Sequence, residues 1–381
     1  MAAVLWTLYV ACMFVAIGGV IFYLLVLAAL RRFRRELPPP ENFTPPISIL
    51  KPLAGLEENL EENLQGFFEQ DYPQHQILFA VRQADDPAAE VVRRLLQRYP
   101  QQDAELVTTG EPRFPNAKVW SLHRMAERAR HEILVISDSD IRATPRYLRG
   151  IAASFADPLV GVSSCPYRAV PGPEGAPRFW SLLEALTLNT EFWCGVLAAR
   201  LVEGVKFAIG PTMSLRREYL NRMGGFAVVG EYLAEDFVLG QRADRHGYGA
   251  ELSPHVVDHC IGGQAFRANW RHRVRWARST RRSRPWGYLG QVFTIPLPFA
   301  LVLLAGPAAP LAAVVVAARA AVASAVAGNL LGDPLTRRYW WLAPAADLAS
   351  LAVWILGFFG STVEWRGRRY ILSKDGRLQN V

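Results

Sequence analysis

Hydrophobic and polar positions change their spacing several times along this chain. Val4 to Leu30 is an unbroken apolar run with no charged side chain, long enough for a helix that crosses a hydrocarbon core of about 30 Å. It ends in Arg31-Arg32-Phe33-Arg34-Arg35. A cleaved signal would start basic, stay shorter and finish in small residues, so the pattern predicts a retained anchor with its C-terminal end in the cytoplasm. Pro38-Pro39-Pro40 follows as a stiff spacer that cannot continue the helix. From Ile47 the apolar runs shorten. Ile47–Leu50, Gln76–Arg82, Glu105–Thr109 and Ile133–Ser137 read as buried strands, and Leu60–Gln70, Ala88–Tyr99 and Lys118–Ala129 between them as helices. That alternation predicts an α/β domain with a mostly parallel sheet covered on both faces. Ligands of such sheets bind at the carboxyl ends of the strands.

Further along, Phe179 to Val205 has a wide apolar face interrupted by Glu184, Glu191, Arg200 and Glu203, the pattern of an amphipathic helix. A basic helix spans about Ala265 to Arg284 and stops before Pro285. Leu311–Leu331 and Leu342–Phe359 are candidate crossings despite Arg319 and Asp347. The proline-broken piece Gln291–Ala305 is either re-entrant or spanning, which leaves three or four crossings. Two C-terminal crossings return Arg366, Arg368, Arg369, Lys374 and Arg377 to the cytoplasm. The expected organisation is an anchor at 1–30, a linker at 31–45, a cytoplasmic α/β domain at 46–285, a membrane region at 286–362 and a cytoplasmic tail at 363–381.

Composition sharpens this picture in two respects. A formal net charge of +8 raises the question of nucleic acid, but no recognition module is visible. The arginines cluster beside apolar segments instead, as suits anionic headgroups or a diphosphate. The four cysteines form no CxxC pair, so neither a disulfide framework nor a zinc site is indicated.

The chemistry concentrates in acidic pairs placed behind strands. Asp85-Asp86 precedes Pro87 at a helix start. One carboxylate is expected to cap that helix, and the other to accept hydrogen bonds from a base or ribose. Asp138-Ser139-Asp140 follows the strand ILVIS. Carboxylates at i and i+2 there suit Mg²⁺ or Mn²⁺ shared with phosphate oxygens, although an Asx turn ending the strand explains the same residues. Glu235-Asp236 sits near a helix start, where acidic residues also favour the dipole; one of them facing a donor sugar has the chemistry of a general base. Asn116 and Lys118 are candidate diphosphate or base contacts, and Lys118 is equally readable as a surface lysine. In WRHRVRW, Arg275 can hold a diphosphate and Trp276 can stack on a sugar ring. His272 shares their helical face.

As an ordered set, SILKPLAG, FFEQDYP, VRQADDPA, PNAKVWSL, ISDSDIRATP, GVSSCPYR, LRREYLNRMGGF, YLAEDFVLG and RVRWAR resemble the ceramide glucosyltransferase family, from about Ile47 to Gly290. The resemblance implies a GT-A fold with N- and C-terminal transmembrane helices. It implies an inverting transfer of hexose from a UDP-sugar to a lipid hydroxyl, with a divalent cation. It places Asp85 or Asp86 and Asp138 on the nucleotide, Asp138 and Asp140 on the metal, and Asp236 as base. The family's Gln/Arg-x-x-Arg-Trp signature falls on His272, Arg275 and Trp276, with histidine at its first position. Thr190 and Glu191 lie where animal members carry a histidine. The chain also resembles the bacterial hopanoid-associated branch, which implies N-acetylglucosamine transfer to bacteriohopanetetrol as the alternative. The expected setting is multi-pass in a membrane, the bacterial inner one, with UDP-sugar, lipid and bilayer as partners and no nucleic acid. A processive polysaccharide synthase shares the Asp-x-Asp and x-x-Arg-Trp features but needs more helices for a channel. A non-catalytic sugar-nucleotide scaffold predicts binding without turnover.

Overall fold

The computed structural model describes residues 1–36, 42–172, 179–365 and 368–380. The triple-proline spacer and Arg366 lie outside them. Contacts divide the described residues into two compact units that interleave along the chain. A sheet unit comprises residues 42–172, 205–262 and 368–380, and a helical unit comprises residues 1–36, 179–204 and 263–365.

The strands of the sheet unit are β1 (Ile47–Pro52), β2 (His75–Val81), β3 (Ala104–Thr108), β4 (Ile133–Ser137), β5 (Ile141–Arg142), β6 (Val160–Ser164), β7 (Tyr167–Val170), β8 (Thr212–Arg216), β9 (Gly249–Leu252) and β10 (Val257–Cys260), followed by the two strands of a C-terminal hairpin, Arg368–Leu372 and Leu378–Asn380. The main sheet runs β3-β2-β1-β4-β8-β6-β9. Its pairs are parallel except where β8 meets β4 and β6. Every residue of β1, β2 and β4 is buried, which is why these strands read as continuous apolar runs. Ile47 stands opposite both His75 and Ile133. That register brings the carboxyl ends of β1, β2 and β4 to one edge, with Asp85 and Asp138 just beyond it. A second small sheet, β5-β10-β7, has no counterpart in the sequence reading, because two- and four-residue strands carry too little periodicity.

Helices cover the sheet as expected. On one face Leu50, Leu78 and Ile136 join Val119, Leu122 and Met125 of helix Ala117–Ala126, together with Leu220, Phe226 and Leu239. Phe79 of β2 stacks on Phe68 of helix Leu60–Phe68 at 5.6 Å. Each such side chain contributes about 1.5–3 kcal/mol on burial.

Three helices of the helical unit are long and apolar enough to cross a membrane: Ala2–Arg35, Ala309–Leu330 and Pro334–Gly357. Pro285–Thr294 and Leu297–Leu303 make a fourth span only if taken together across a 51° bend. Val4, Leu5, Trp6, Phe14 and Leu24 of the first helix are exposed, as a lipid-facing surface requires. Its other side is close-packed. A Cβ on Gly19 would meet Pro296 at 2.4 Å, so only glycine lets the two backbones approach. Arg319 and Asp347, the charges that interrupted the predicted spans, form a buried two-pronged pair at 2.8 and 3.0 Å. Thr190 takes a further guanidinium hydrogen at 2.9 Å.

Candidate functional site

Distant sequence segments meet in the sheet unit just past the carboxyl end of β4. Ser137 ends the strand, and Asp138 follows with its N–H donating to Pro211 O at 3.0 Å. Lys118, from the first turn of helix Ala117–Ala126, places its ammonium 2.7 Å from Asp138 Oδ1 and 3.1 Å from Glu235 Oε1. Asn116 caps that helix through Oδ1 to Val119 N at 3.1 Å. Its amide donates to Glu235 Oε2 at 3.1 Å and to Tyr232 O at 2.8 Å. Glu235 and Asp236 open helix Glu235–Gln241. A Cβ on Gly210 would lie 2.8 Å from Asp236 Oδ2, so this carboxylate rests directly against bare backbone.

A second arm reaches Asp140. Its Oδ2 lies 3.0 Å from His259 Nε2 of β10, and its carbonyl accepts from Cys260 N at 2.8 Å. Beneath the pair Lys51, fully buried at the end of β1, donates to the carbonyl of Asp138 and to Ser137 Oγ at 3.3 Å. The same ammonium stands 3.9 Å from the centre of the Phe67 ring.

Exposure separates the members of this cluster. The side chains of Lys118 and Glu235 are closed off at 11% and 6%, whereas those of Asp138 and Asp140 stay open at 32% and 31%. The first two frame the site and the last two face what enters it. Asp140 Oδ1 is buried without a hydrogen-bond partner among the described residues, which fits an oxygen reserved for a cation. No group of three or more His, Cys, Asp or Glu side chains forms a metal cage among those residues. Two carboxylates completed by substrate and water oxygens are the arrangement that Mg²⁺-type ions accept.

The electrostatics distinguish the carboxylates further. Burial pushes the Asp236 carboxyl up to about 7, reinforced by Glu235 and opposed by Lys118. Burial and the charge of Asp140 also raise Asp138, against Lys118. For Asp140 burial is outweighed by His259 and Lys51, which hold it below the ordinary value. Burial lowers Lys51 to about 7 in spite of Asp138 and Asp140. Lys118 moves the other way: burial would lower it, but Asp138, Glu235 and Asp236 together raise it.

Several expectations change here. Lys118 is no surface lysine. Asn116 is fully buried with both amide atoms engaged. Asp86 caps helix Pro87–Arg98 through Ala88 N at 2.9 Å and also accepts from Gly55 N at 2.9 Å, while Asp85 is exposed at the same sheet edge. One residue thus takes the cap and the other faces outward. His272, Arg275 and Trp276 share a face of helix Phe266–Ser283 in the helical unit, with the His272 and Trp276 rings 4.7 Å apart edge to face. Lys51, Glu235 as an ion-pair partner, and His259 were missed. A lysine closing an otherwise apolar strand was the available signal for Lys51; His259, in the short β10, offered none.

A parallel-centred sheet carrying paired carboxylates past its central strand defines a GT-A nucleotide-sugar transferase fold. The mannosyltransferase PcManGT from Pyrobaculum calidifontis, solved with GDP-Man and Mn²⁺, shares that fold with a TM-score of 0.54 at 23% identity, over 92% of this chain and 99% of its own. The chain belongs to glycosyl transferase family 21, whose model matches residues 11–378. It is 27% identical to ceramide glucosyltransferase 1 of Caenorhabditis elegans over 246 residues, 64% of this chain and 51% of that protein. It is 30% identical to ceramide glucosyltransferase 3 of the same organism over 217 residues, 56% of this chain and 46% of that protein. The chain spans about half the length of these relatives.

Proposed function

We propose that this protein is a membrane-bound inverting glycosyltransferase that moves a hexose from a UDP-sugar to a lipid hydroxyl. The observation that carries the reading is Asp236, a partly buried carboxyl packed against Gly210 beside the Lys118–Asp138–Glu235 cluster and held near neutrality. A base so tuned takes a hydroxyl proton at physiological pH and is not locked as a spectator anion. In the reaction the acceptor oxygen attacks the anomeric carbon as its proton passes to Asp236. The bond from that carbon to the diphosphate breaks, and attack from the opposite face inverts the centre. Asp138 and Asp140 would hold Mg²⁺ or Mn²⁺, which supplies charge neutralisation for the departing diphosphate. Asp85, exposed at the sheet edge, is assigned to the nucleoside. His272, Arg275 and Trp276 are assigned to the diphosphate and acceptor, with guanidinium and indole chemistry as their support. Kinship with ceramide glucosyltransferases supports a ceramide-like acceptor, and three apolar helices support a membrane setting; the arginines closing the first helix support a cytoplasmic side for the residues that follow it.

The test is direct. Purified protein is incubated with several UDP-sugars and with ceramide, bacteriohopanetetrol or extracted lipids, with and without Mn²⁺, and products are read by mass spectrometry. A single inverted glycolipid that requires the cation supports the reading. A ladder of polymer lengths, or donor binding without any product, sinks it.

A further inference from the structure

The residues leading into the candidate base are clasped from two sides within the sheet unit. Asn116 holds one side: its N–H donates to Gly230 O at 2.9 Å and its side-chain amide to Tyr232 O at 2.8 Å. The intervening groups face the other way. Glu231 O accepts from Leu378 N at 2.6 Å, and Leu233 N donates to Gly376 O at 3.3 Å. Tyr232 forms an isolated antiparallel bridge with Arg377. Tyr232 N–H closes a local turn on Val229 O at 3.1 Å, while the neighbouring backbone groups of this short turn serve Asn116 on one side and the C-terminal segment on the other.

The second neighbour is the C-terminal hairpin, in which Arg368–Leu372 pairs antiparallel with Leu378–Asn380. Its turn closes at Gly376, whose φ of 84° suits glycine, and the carbonyl of that residue takes the Leu233 N–H. Arg377 pairs with Glu231 at 3.0 Å and lies over the Tyr232 ring at 5.4 Å, with Arg242 over the same ring at 5.7 Å. The ion pair is half exposed and weak alone. Tyr370, Leu372 and Leu378 are buried at 4%, 2% and 3%, so the hairpin is docked rather than draped. From sequence this segment was only a basic tail.

We propose that the C-terminal hairpin is a positioning element for the site: it fixes Glu231–Leu233, and through them the start of helix Glu235–Gln241 that carries Glu235 and Asp236. Its kinetic consequence rests on the reading of Asp236 as base; its structural consequence does not. Leu378→Pro removes the N–H given to Glu231 and also replaces a buried leucine side chain of the hairpin. Arg377→Ala and Arg377→Lys test the side-chain half of the clasp more gently.

The experiment compares these full-length variants by hydrogen exchange over residues 231–240, UDP binding, and kcat and KM for the donor. Leu378→Pro is expected to raise exchange in that segment and lower kcat about tenfold, within the hundredfold that a 1 Å misplacement can cost. UDP binding and donor KM should hold within about twofold, because Asp85 lies outside the clasped stretch and Asp138 reaches it only indirectly, through Lys118 and Glu235. Arg377→Ala should fall between, with Arg377→Lys restoring most of the loss. Unchanged exchange and kcat in Leu378→Pro and Arg377→Ala overturn the proposal. Loss of UDP binding and of cooperative unfolding in step with turnover also overturns it, since that is general structural damage. An active Asp236→Asn enzyme would instead remove the base reading and leave the exchange result standing.

Discussion

At the scale of the residue, the site turns on which carboxylates pair directly with the Lys118 ammonium and which one is shifted mainly by burial. Asp138 and Glu235 share the Lys118 ammonium, and Asp236 is left with a carboxyl raised to about 7. A base works only when deprotonated, so turnover should fall as pH drops through about 7 and level off above it. A flat profile between pH 6 and 8 counts against the assignment. Asp236→Asn should abolish transfer and leave UDP binding in place. The same shift bears on stability. A carboxyl whose value rises from 3.8 to about 7 on folding stabilises the fold fully below 3.8, and that contribution is lost as pH climbs to about 7. Asp236→Asn should therefore raise Tm at pH 8 by a few degrees, roughly the effect of 1 kcal/mol, and by less at pH 5. Gly210→Ala is the steric counterpart. Its new Cβ would sit 2.8 Å from Asp236 Oδ2, so kcat should drop about tenfold or more with little change in donor binding. Full activity would show that the carboxylate is free to move.

At the scale of the element, periodicity carried far. Strands β1 to β4 and the helices between them lie within a few residues of where the apolar spacing puts them. Fully buried parallel strands and amphipathic helices write their environment into sequence every two or every 3.6 residues. The caps were readable for the same reason: Asp86 before Pro87 is a local signature, and the structure uses it. Asn116 shows where this stops. As an N-cap it is local, but its amide also binds Glu235 and Tyr232, more than a hundred residues away. Asn116→Ala should accordingly cost more than a cap alone, about 2–4 kcal/mol against roughly 1 for an isolated N-cap, read by thermal or chemical unfolding. A loss no larger than the cap would mean that the long-range bonds contribute nothing. Strand β8 and the small β5-β10-β7 sheet escaped because direction and partner of short strands depend on what lies beside them.

At the scale of the whole molecule, the sharpest contrast lies in the helical unit. Arg319 and Asp347 read as blemishes in two apolar runs, and the fold turns them into each other's partner. Arg319→Met leaves Asp347 buried alone and should cost about 3–5 kcal/mol; pairing it with Asp347→Leu should recover most of that. Thermal unfolding in detergent measures both, and a double variant no better than the single one would show that the pair is not coupled. By itself the sequence determined the apolar helices, the first strands of the sheet and the helices between them, and the carboxylates that stand past β2 and β4, because hydrophobic spacing and strand-end positions are local properties. Only the tertiary structure decided that Lys118 is buried between two acids, that Lys51 and His259 buttress Asp138 and Asp140, and that the basic tail grips the segment before Asp236. Charge pairing acts over a few ångströms in space whatever the separation along the chain, and no spacing pattern records which distant groups the fold will bring within that reach.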